Sequence, residues 1–178
     1  MREKIYLFPV GKVEISILKK LALQLERRFN YSVIIGKKIK IPASSFNYRR
    51  NQYLSPVILT QLRKSIPSDT IKCLGIIDVD LYVSQLNFVF GQAEMGGKVA
   101  IISLTRLRPE YYSLKSNQKL FELRILKEAV HELGHCFGLN HCSNPKCVMH
   151  FSNTLMDTDI KSDKFCPSCH KLLEKKND

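Results

Sequence analysis

The sequence lacks any apolar run long enough to cross a lipid bilayer, and it contains no internal repeat and no low-complexity linker. Because a membrane-spanning helix needs about 20 mostly apolar residues, we expect no membrane partner. Repeat architectures are excluded in the same way. The chain also shows no apolar secretory leader, so we expect a cytoplasmic location, where thiols stay reduced. Its 178 residues suffice for one domain with a substantial core.

Acidic residues are scarce relative to basic ones. The chain has 16 Asp and Glu against 28 Lys and Arg, which gives a formal net charge of +12. The basic residues occur as scattered pairs, which are typical of solvated faces rather than of one phosphate-binding stripe. We therefore do not expect nucleic acid as the main partner, whereas acidic substrates or partners stay open. The pairs are Lys19-Lys20, Arg27-Arg28, Lys37-Lys38, Arg49-Arg50 and Lys175-Lys176.

Residues 131–141 contain three histidines, one glutamate and one glycine in the arrangement HExxHxxGxxH. This arrangement is the signature of a zinc protease. With each fixed residue at a few per cent of ordinary composition, a chance match is on the order of one in ten million per starting position. Two histidines four residues apart are ordinary on a surface or core helix, but the complete set argues against that interpretation. An inactive zinc-binding relative stays open.

The spacing has a direct chemical meaning. His131 and His135 are about one helical turn apart and point the same way, so both can bind one zinc ion. Gly138 can adopt the left-handed conformation that ends a helix, which lets the chain return His141 to the same ion. Water in the fourth position would have its pKa lowered to about 7, and Glu132 is then the predicted general base. The predicted reaction is hydrolysis of a peptide bond.

A second metal-binding pattern follows directly. Cys142 and Cys147 are followed by Cys166 and Cys169, and the last two have CxxC spacing. Four thiolates suit a closed structural zinc site, so we predict two Zn²⁺ per chain, one catalytic and one structural. Disulfides and thioredoxin-like redox chemistry are the competing interpretations, which the missing leader and the missing βαβ unit disfavour. Residues 142–178 are too few for a substantial core, and zinc is the predicted staple.

With these motifs the chain resembles the archaemetzincins, a family in the metzincin clan of zinc metallopeptidases. The family pattern is HExxHxxGxxHC, then Cys-x-Met, then a distal CxxC, and residues 131–142, 147–149 and 166–169 match it. The resemblance implies that Met149 lies beneath the zinc-binding histidines as the Met-turn residue. Some other metzincins place a tyrosine shortly after this turn as a metal or transition-state contact. Here Phe151 stands two residues on, and no substitute oxyanion donor is identifiable.

The resemblance also implies an α/β (α+β), metzincin-like fold with a twisted mixed β-sheet. Its antiparallel edge strand, expected around residues 98–107, would align an extended peptide substrate. We predict a single protease domain over residues 1–178. Residues 1–141 would form an upper subdomain with the active-site helix, and residues 142–178 a small C-terminal subdomain with the Met-turn and the four-cysteine zinc site.

Hydrophobic periodicity predicts the main elements. Helices are expected over residues 14–29 and, after a Ser55 cap, over 56–66; strands are expected over 5–10, 31–35, 38–41, 71–79, 88–90 and 98–104. The active-site helix is predicted to pack through Leu123, Leu126, Val130, Leu133 and Phe137. Cys73 and Cys136 are predicted packing residues, and Asp78 and Asp80 are predicted to be solvated or structural.

Two further functions stay open beside peptide hydrolysis. The first is a zinc-stapled nucleic-acid-binding module with a weak or inactive protease site, which salt-sensitive association would favour. The second is a regulatory binder that holds peptides in the cleft, which capture without turnover would favour.

Overall fold

The described strands all lie within residues 4–103, with two α-helices among them, and the elements after residue 103 are helices. The computed structural model describes residues 3–177. The strands are β1 (Lys4–Val10), β2 (Ser32–Ile35), β3 (Phe46–Asn47), β4 (Gln52–Leu54), β5 (Thr70–Ile77), β6 (Leu81–Val83), β7 (Leu86–Val89), β8 (Gly91–Ala93) and β9 (Val99–Ser103). The helices are α1 (Ile15–Phe29), α2 (Ser55–Arg63), α3 (Gln118–Cys136), α4 (Leu155–Ile160) and α5 (Pro167–Asn177).

The main sheet has five strands in the order β2-β1-β5-β9-β8. All neighbours are parallel except β8, which pairs antiparallel with β9. The predicted mixed sheet with an antiparallel edge strand is therefore confirmed. The predicted location of the edge strand, around residues 98–107, is wrong. Residues 99–103 form an inner strand that is buried along its whole length, as is usual for parallel strands covered on both faces. The antiparallel edge strand is β8 instead.

Alternate residues of the central strands pack on opposite sides of this sheet. On β1, Ile5 and Leu7 join the cluster formed with α1 and α3. Phe8 and Val10 face the other way and join the cluster formed with α2. The sheet is thus covered on both faces, and α3, which carries the zinc signature, lies against one of them. A smaller sheet, β3-β4-β6-β7, adjoins this core.

Some local predictions were wrong. Residues 38–41 form no strand; Ile39 makes a single bridge to Val10. Ser55 is the first residue of α2 rather than its cap, because its hydroxyl is engaged by Gln92 Oε1 at 2.5 Å. Leu123 is 39% exposed, and Phe121 is buried in its place at the start of the packed stripe of α3. Helix α1, predicted over residues 14–29, buries one apolar face, which is formed by Ile17, Leu18, Leu21, Ala22, Leu25 and Phe29.

Two acidic residues fix the loop behind the small sheet. Asp80 accepts two hydrogen bonds from Arg106, at 2.6 and 2.8 Å, and Asp78 accepts one from Arg108 at 2.6 Å. The Arg106 guanidinium also stacks on the Phe88 ring at 4.1 Å, so this network braces β7. The structural interpretation of both carboxylates is confirmed. Among residues 3–177, no helix combines the length and the apolarity that crossing a membrane requires.

Candidate metal centre and cleft

Helix α3 carries the first part of the candidate site. Asn117 caps its start by accepting a hydrogen bond from the Leu120 N–H at 3.0 Å. The helix ends at Cys136, and Gly138 then adopts a φ of +83°, a conformation that residues with a Cβ rarely take. The Gly138 N–H donates to the His135 carbonyl at 2.8 Å, which closes the turn. The chain is thereby redirected toward His141, as the motif predicts.

The three histidines of the motif come together at one point. His135 Nε2 lies 3.1 Å from His131 Nε2 and 3.2 Å from His141 Nε2. Nitrogen ligands at 2.0–2.1 Å from a tetrahedral zinc are separated by about 3.3–3.4 Å, so this spacing fits one such ion. His131 and His135 are buried, whereas His141 is exposed on the cleft side.

The second nitrogen of each buried ring is held by a backbone carbonyl. His131 Nδ1 donates to Val148 O at 2.8 Å, and His135 Nδ1 donates to Leu139 O at 2.7 Å. Each bond fixes the tautomer and leaves the Nε2 lone pair turned inward. Burial lowers the pKa of all three imidazoles, that of His131 most clearly, and the positive charge of Lys161 adds to the effect. The rings are therefore neutral, which is the form that binds metal.

Glu132 lies beside the histidines, on the side of the edge strand. It is 6% exposed, and burial raises the pKa of its carboxyl well above the usual range, with a further contribution from the charge of Glu128. A Cβ added to Gly91 of β8 would lie 2.7 Å from both Cγ and Oε1 of Glu132. The same Cβ would lie 2.8 Å from the Ile101 carbonyl, so the missing side chain at Gly91 makes room both for Glu132 and for the neighbouring strand.

We expect Gly91→Ala to retain metal and to lower kcat by about 10²-fold, because displacing a reacting group by about 1 Å has this effect. The measurement is kcat together with zinc content on purified protein. Gly96→Asn, on the β8–β9 turn, is the control, since a Cβ there meets no atom within 4 Å and asparagine tolerates a positive φ. Equal activity in Gly91→Ala and wild type would show that this contact does not position Glu132.

Met149 packs directly against α3. It is fully buried, and a Cβ added to Gly134 would lie 2.5 Å from its sulfur, so the helix backbone and the thioether are in close contact. The preceding residue, Val148, provides the carbonyl that holds His131. The turn after Cys147 therefore supports the histidines from below.

The four cysteines of the second pattern also converge. Their sulfur atoms all lie within 4.8 Å of one another, and Cys142 Sγ is 3.8 Å from Cys166 Sγ. Thiolates at about 2.3 Å from a tetrahedral zinc are separated by about 3.8 Å, so the set fits such an ion. The Cys169 backbone N–H lowers the pKa of Cys166 to about 7, which favours the thiolate. All four are free thiols in the structure.

The two remaining cysteines have the packing role that the sequence predicts. Cys73 and Cys136 are fully buried in the two hydrophobic clusters. Burial raises the pKa of Cys136 to about 12, so this thiol is protonated. His150 Nδ1 donates to the Cys142 carbonyl at 2.9 Å and supports the chain between the two patterns.

A cleft with a volume of about 230 Å³ opens beside His131 and His141. Residues 86–91 form one wall, and Phe151, Ser152 and Asn153 form the other. Glu128 and Lys161 also line it, and the structure thereby adds two charged residues that we did not predict. Glu128 precedes His131 by three residues and Glu132 by four, so helical spacing could have placed it on this face. Nothing in the sequence around Lys161 indicates its burial.

The fold and the motif geometry are matched in known proteins. The model of peptidase family M54 matches residues 12–175. The chain belongs to peptidase family M54. An archaemetzincin of Pyrococcus furiosus is 48% identical over 185 aligned residues, which cover 99% of this chain and 95% of that protein. The predicted identity as a zinc metallopeptidase of the archaemetzincin family is thus confirmed.

Solved structures of similar proteins have the same fold. The archaemetzincin of Methanopyrus kandleri superposes with a TM-score of 0.86 at 34% identity, over 98% of this chain and 96% of that chain. A zinc-dependent peptidase of Methanocorpusculum labreanum also gives 0.86, at 31% identity over 95% and 99%. The metzincin-like fold predicted from the motifs is therefore confirmed.

Proposed function

We propose that this M54 peptidase hydrolyses peptide bonds with a catalytic zinc ion held by His131, His135 and His141 and with Glu132 as the general base. The observation that carries the proposal is the convergence of the three Nε2 atoms at 3.1 and 3.2 Å, which matches the edges of a zinc tetrahedron. Three protein ligands leave one coordination position for the reaction, as is usual for catalytic zinc.

Different groups have different roles in the proposed reaction. Bound zinc supplies a Lewis acid that polarises the scissile carbonyl and acidifies water. Glu132 takes the proton of the attacking water and delivers it to the leaving amine. Burial raises the pKa of Glu132, whereas the positive charge of a bound metal would act in the opposite direction. The carbonyls of Val148 and Leu139 hold His131 and His135 in their ligand orientation.

The proposed substrate is a peptide or protein segment in extended conformation. Strand β8 borders the cleft through Gly91, and no strand of residues 3–177 pairs with its outer edge. That edge can pair with the backbone of a substrate, which provides affinity without sequence choice. The scissile bond would then lie next to Glu132, which touches Gly91.

We further propose a structural zinc ion at Cys142, Cys147, Cys166 and Cys169. The sulfur spacing supports it, and so does a hydrogen bond of 3.3 Å from the Cys166 N–H to Cys147 Sγ, of the kind that stabilises bound thiolates. The Cys142 N–H donates to the Met149 carbonyl at 2.9 Å. This ion would therefore hold the segment that supports the catalytic histidines.

Metal content tests both sites. Wild-type protein, untagged, is expected to contain two zinc ions per chain by elemental analysis, and His131→Ala is expected to contain one. His170→Ala is the matched control, because His170 is exposed and outside both ligand sets, and it should keep two. One zinc in both wild type and His131→Ala would refute the histidine site and favour the binding-module alternative.

A further inference from the structure

Two buried donor atoms on the cleft have no hydrogen-bond partner among the described residues: Lys161 Nζ and Ser152 Oγ. The side chain of Lys161 is 0% exposed. Its ammonium has one ion contact, at 3.0 Å to Glu128 Oε1, which lacks hydrogen-bond geometry. An ammonium carries three donors, so most of its bonding capacity is unused.

A buried ammonium with so few partners lowers the stability of the fold. A buried charge is costly unless its partners satisfy it fully, and an unmade hydrogen bond adds to the cost. The same carboxylate oxygen of Glu128 accepts a hydrogen bond from Thr158 Oγ1 at 3.3 Å, so Lys161 is not its only neighbour. A lysine in this position therefore suggests a ligand, and the position borders the cleft beside the candidate metal centre.

We propose that Lys161 and Ser152 form a carboxylate-binding subsite of the cleft, which makes this peptidase selective for substrates with an acidic group close to the scissile bond. The inference rests on the proposed function of the same cleft. In this proposal Lys161 Nζ and Ser152 Oγ are the atoms that determine specificity.

The chemistry of the two groups defines the ligand. Both are donors, so the ligand is an acceptor, and one is cationic, so an anion is favoured. A carboxylate fits because it accepts several hydrogen bonds at once. The four-carbon stem of lysine has rotatable bonds, so Nζ can turn from Glu128 toward a carboxylate in the cleft. The walls contributed by Phe88, Phe90 and Phe151 are apolar, which strengthens an ionic contact by excluding water.

Side-chain and main-chain carboxylates are two sources of the same chemistry. The first is an Asp or Glu side chain beside the scissile bond, and the second is the C-terminal carboxylate of a short peptide. A set of peptide hydroxamates separates them, because the hydroxamate binds the metal and leaves the remaining groups to the cleft. The set contains a glutamate-like, a glutamine-like and an alkyl side chain, each with a free or an amidated C-terminus.

The experiment measures dissociation constants of these compounds by calorimetry on zinc-loaded protein. In the wild type we expect the better-placed carboxylate to bind at least about 10-fold more tightly than its amide, as a charge-assisted hydrogen bond warrants. If the glutamate-like compound binds more tightly than the glutamine-like one by this ratio, the subsite binds acidic side chains. If the compound with a free C-terminus binds more tightly than its amidated form by this ratio, the subsite binds C-terminal carboxylates.

The double substitution Lys161→Met with Glu128→Gln removes both charges and leaves no unpaired buried ion. The acid-to-amide ratio should then fall to within about twofold of unity, whereas Lys164→Met, which removes an exposed lysine nearby, should keep the wild-type ratio. Thermal melting shows whether each variant is folded. Ser152→Ala should lower the ratio in part, because the lysine remains.

The outcomes distinguish the proposed carboxylate subsite from the proposed catalytic metal site. If the alkyl hydroxamate binds the wild type but acid and amide bind equally, the carboxylate subsite is refuted and the metal centre stands. If no hydroxamate binds zinc-loaded wild type, the catalytic metal site fails and the subsite fails with it. An acid preference that survives the double substitution would assign the preference to other residues and overturn the role of Lys161.

Discussion

Glu132→Gln should bind as much zinc as the wild type and lose hydrolysis by a factor of about 10²–10⁴, the usual contribution of a general base. The amide has the size of the carboxyl and fits the space at Gly91, but it cannot accept the proton of water. The three imidazoles and their carbonyl partners are untouched. Peptide-library cleavage and zinc content, measured on the same preparation, give the two readings.

Glu122→Gln is the matched control, because it makes the same change on the same helix. Glu122 is hydrogen-bonded by Lys20 and Gln118 on the outer side of α3, away from the cleft. Its activity should stay near that of the wild type. Full activity in Glu132→Gln would exclude this residue as the base, while a loss of zinc would show that it acts on the metal site instead.

Cys166→Ser should release one zinc ion and lower the thermal stability strongly. Structural zinc binds zinc-finger peptides with about 10–16 kcal/mol at neutral pH. A loss of only about 3 kcal/mol would lower the melting temperature of a chain of this size by roughly 6–12 °C. The segment from Cys142 onward has few buried apolar residues of its own, so the proposed ion would be its main support.

The control for this variant is Cys73→Ser, which changes the same atoms at a buried cysteine outside the ligand set. It reports the ordinary cost of placing a hydroxyl in the core and should leave the zinc content at two. Calorimetry and elemental analysis check both variants. If Cys166→Ser melts like the wild type with its metal complete, the four-cysteine assignment is incorrect.

The sequence predicted the motif geometry well because that geometry is local. His131 and His135 are related by helical periodicity, and Gly138 provides the turn that carries His141, so a few residues of backbone determine most of the triad. The cysteines span a longer segment, but CxxC spacing again brings two sulfurs together locally. The family resemblance then predicted the architecture, which the solved relatives confirm.

Features that depend on tertiary packing were not predictable in this way. Residues 99–103 have the composition of any apolar strand, and their inner position depends on β8 pairing beyond them. Gly91 appears ordinary until Glu132 is placed against it. Lys161 follows a short helix in a polar stretch, where a lysine is normally solvated, and only the packing of that stretch onto α3 buries it.

His141 and Cys142 are joined by a single peptide bond, although one belongs to the histidine set and the other to the cysteine set. If each set binds its ion as proposed, fixing the backbone for one ion reduces the conformational entropy that the other must remove. The two binding events are then thermodynamically linked, and linkage is reciprocal: occupancy of either site tightens the other by the same factor. Chelation of one ion would accordingly weaken the binding of the other by that factor, so the two ions would be harder to remove together than either is after its partner has gone.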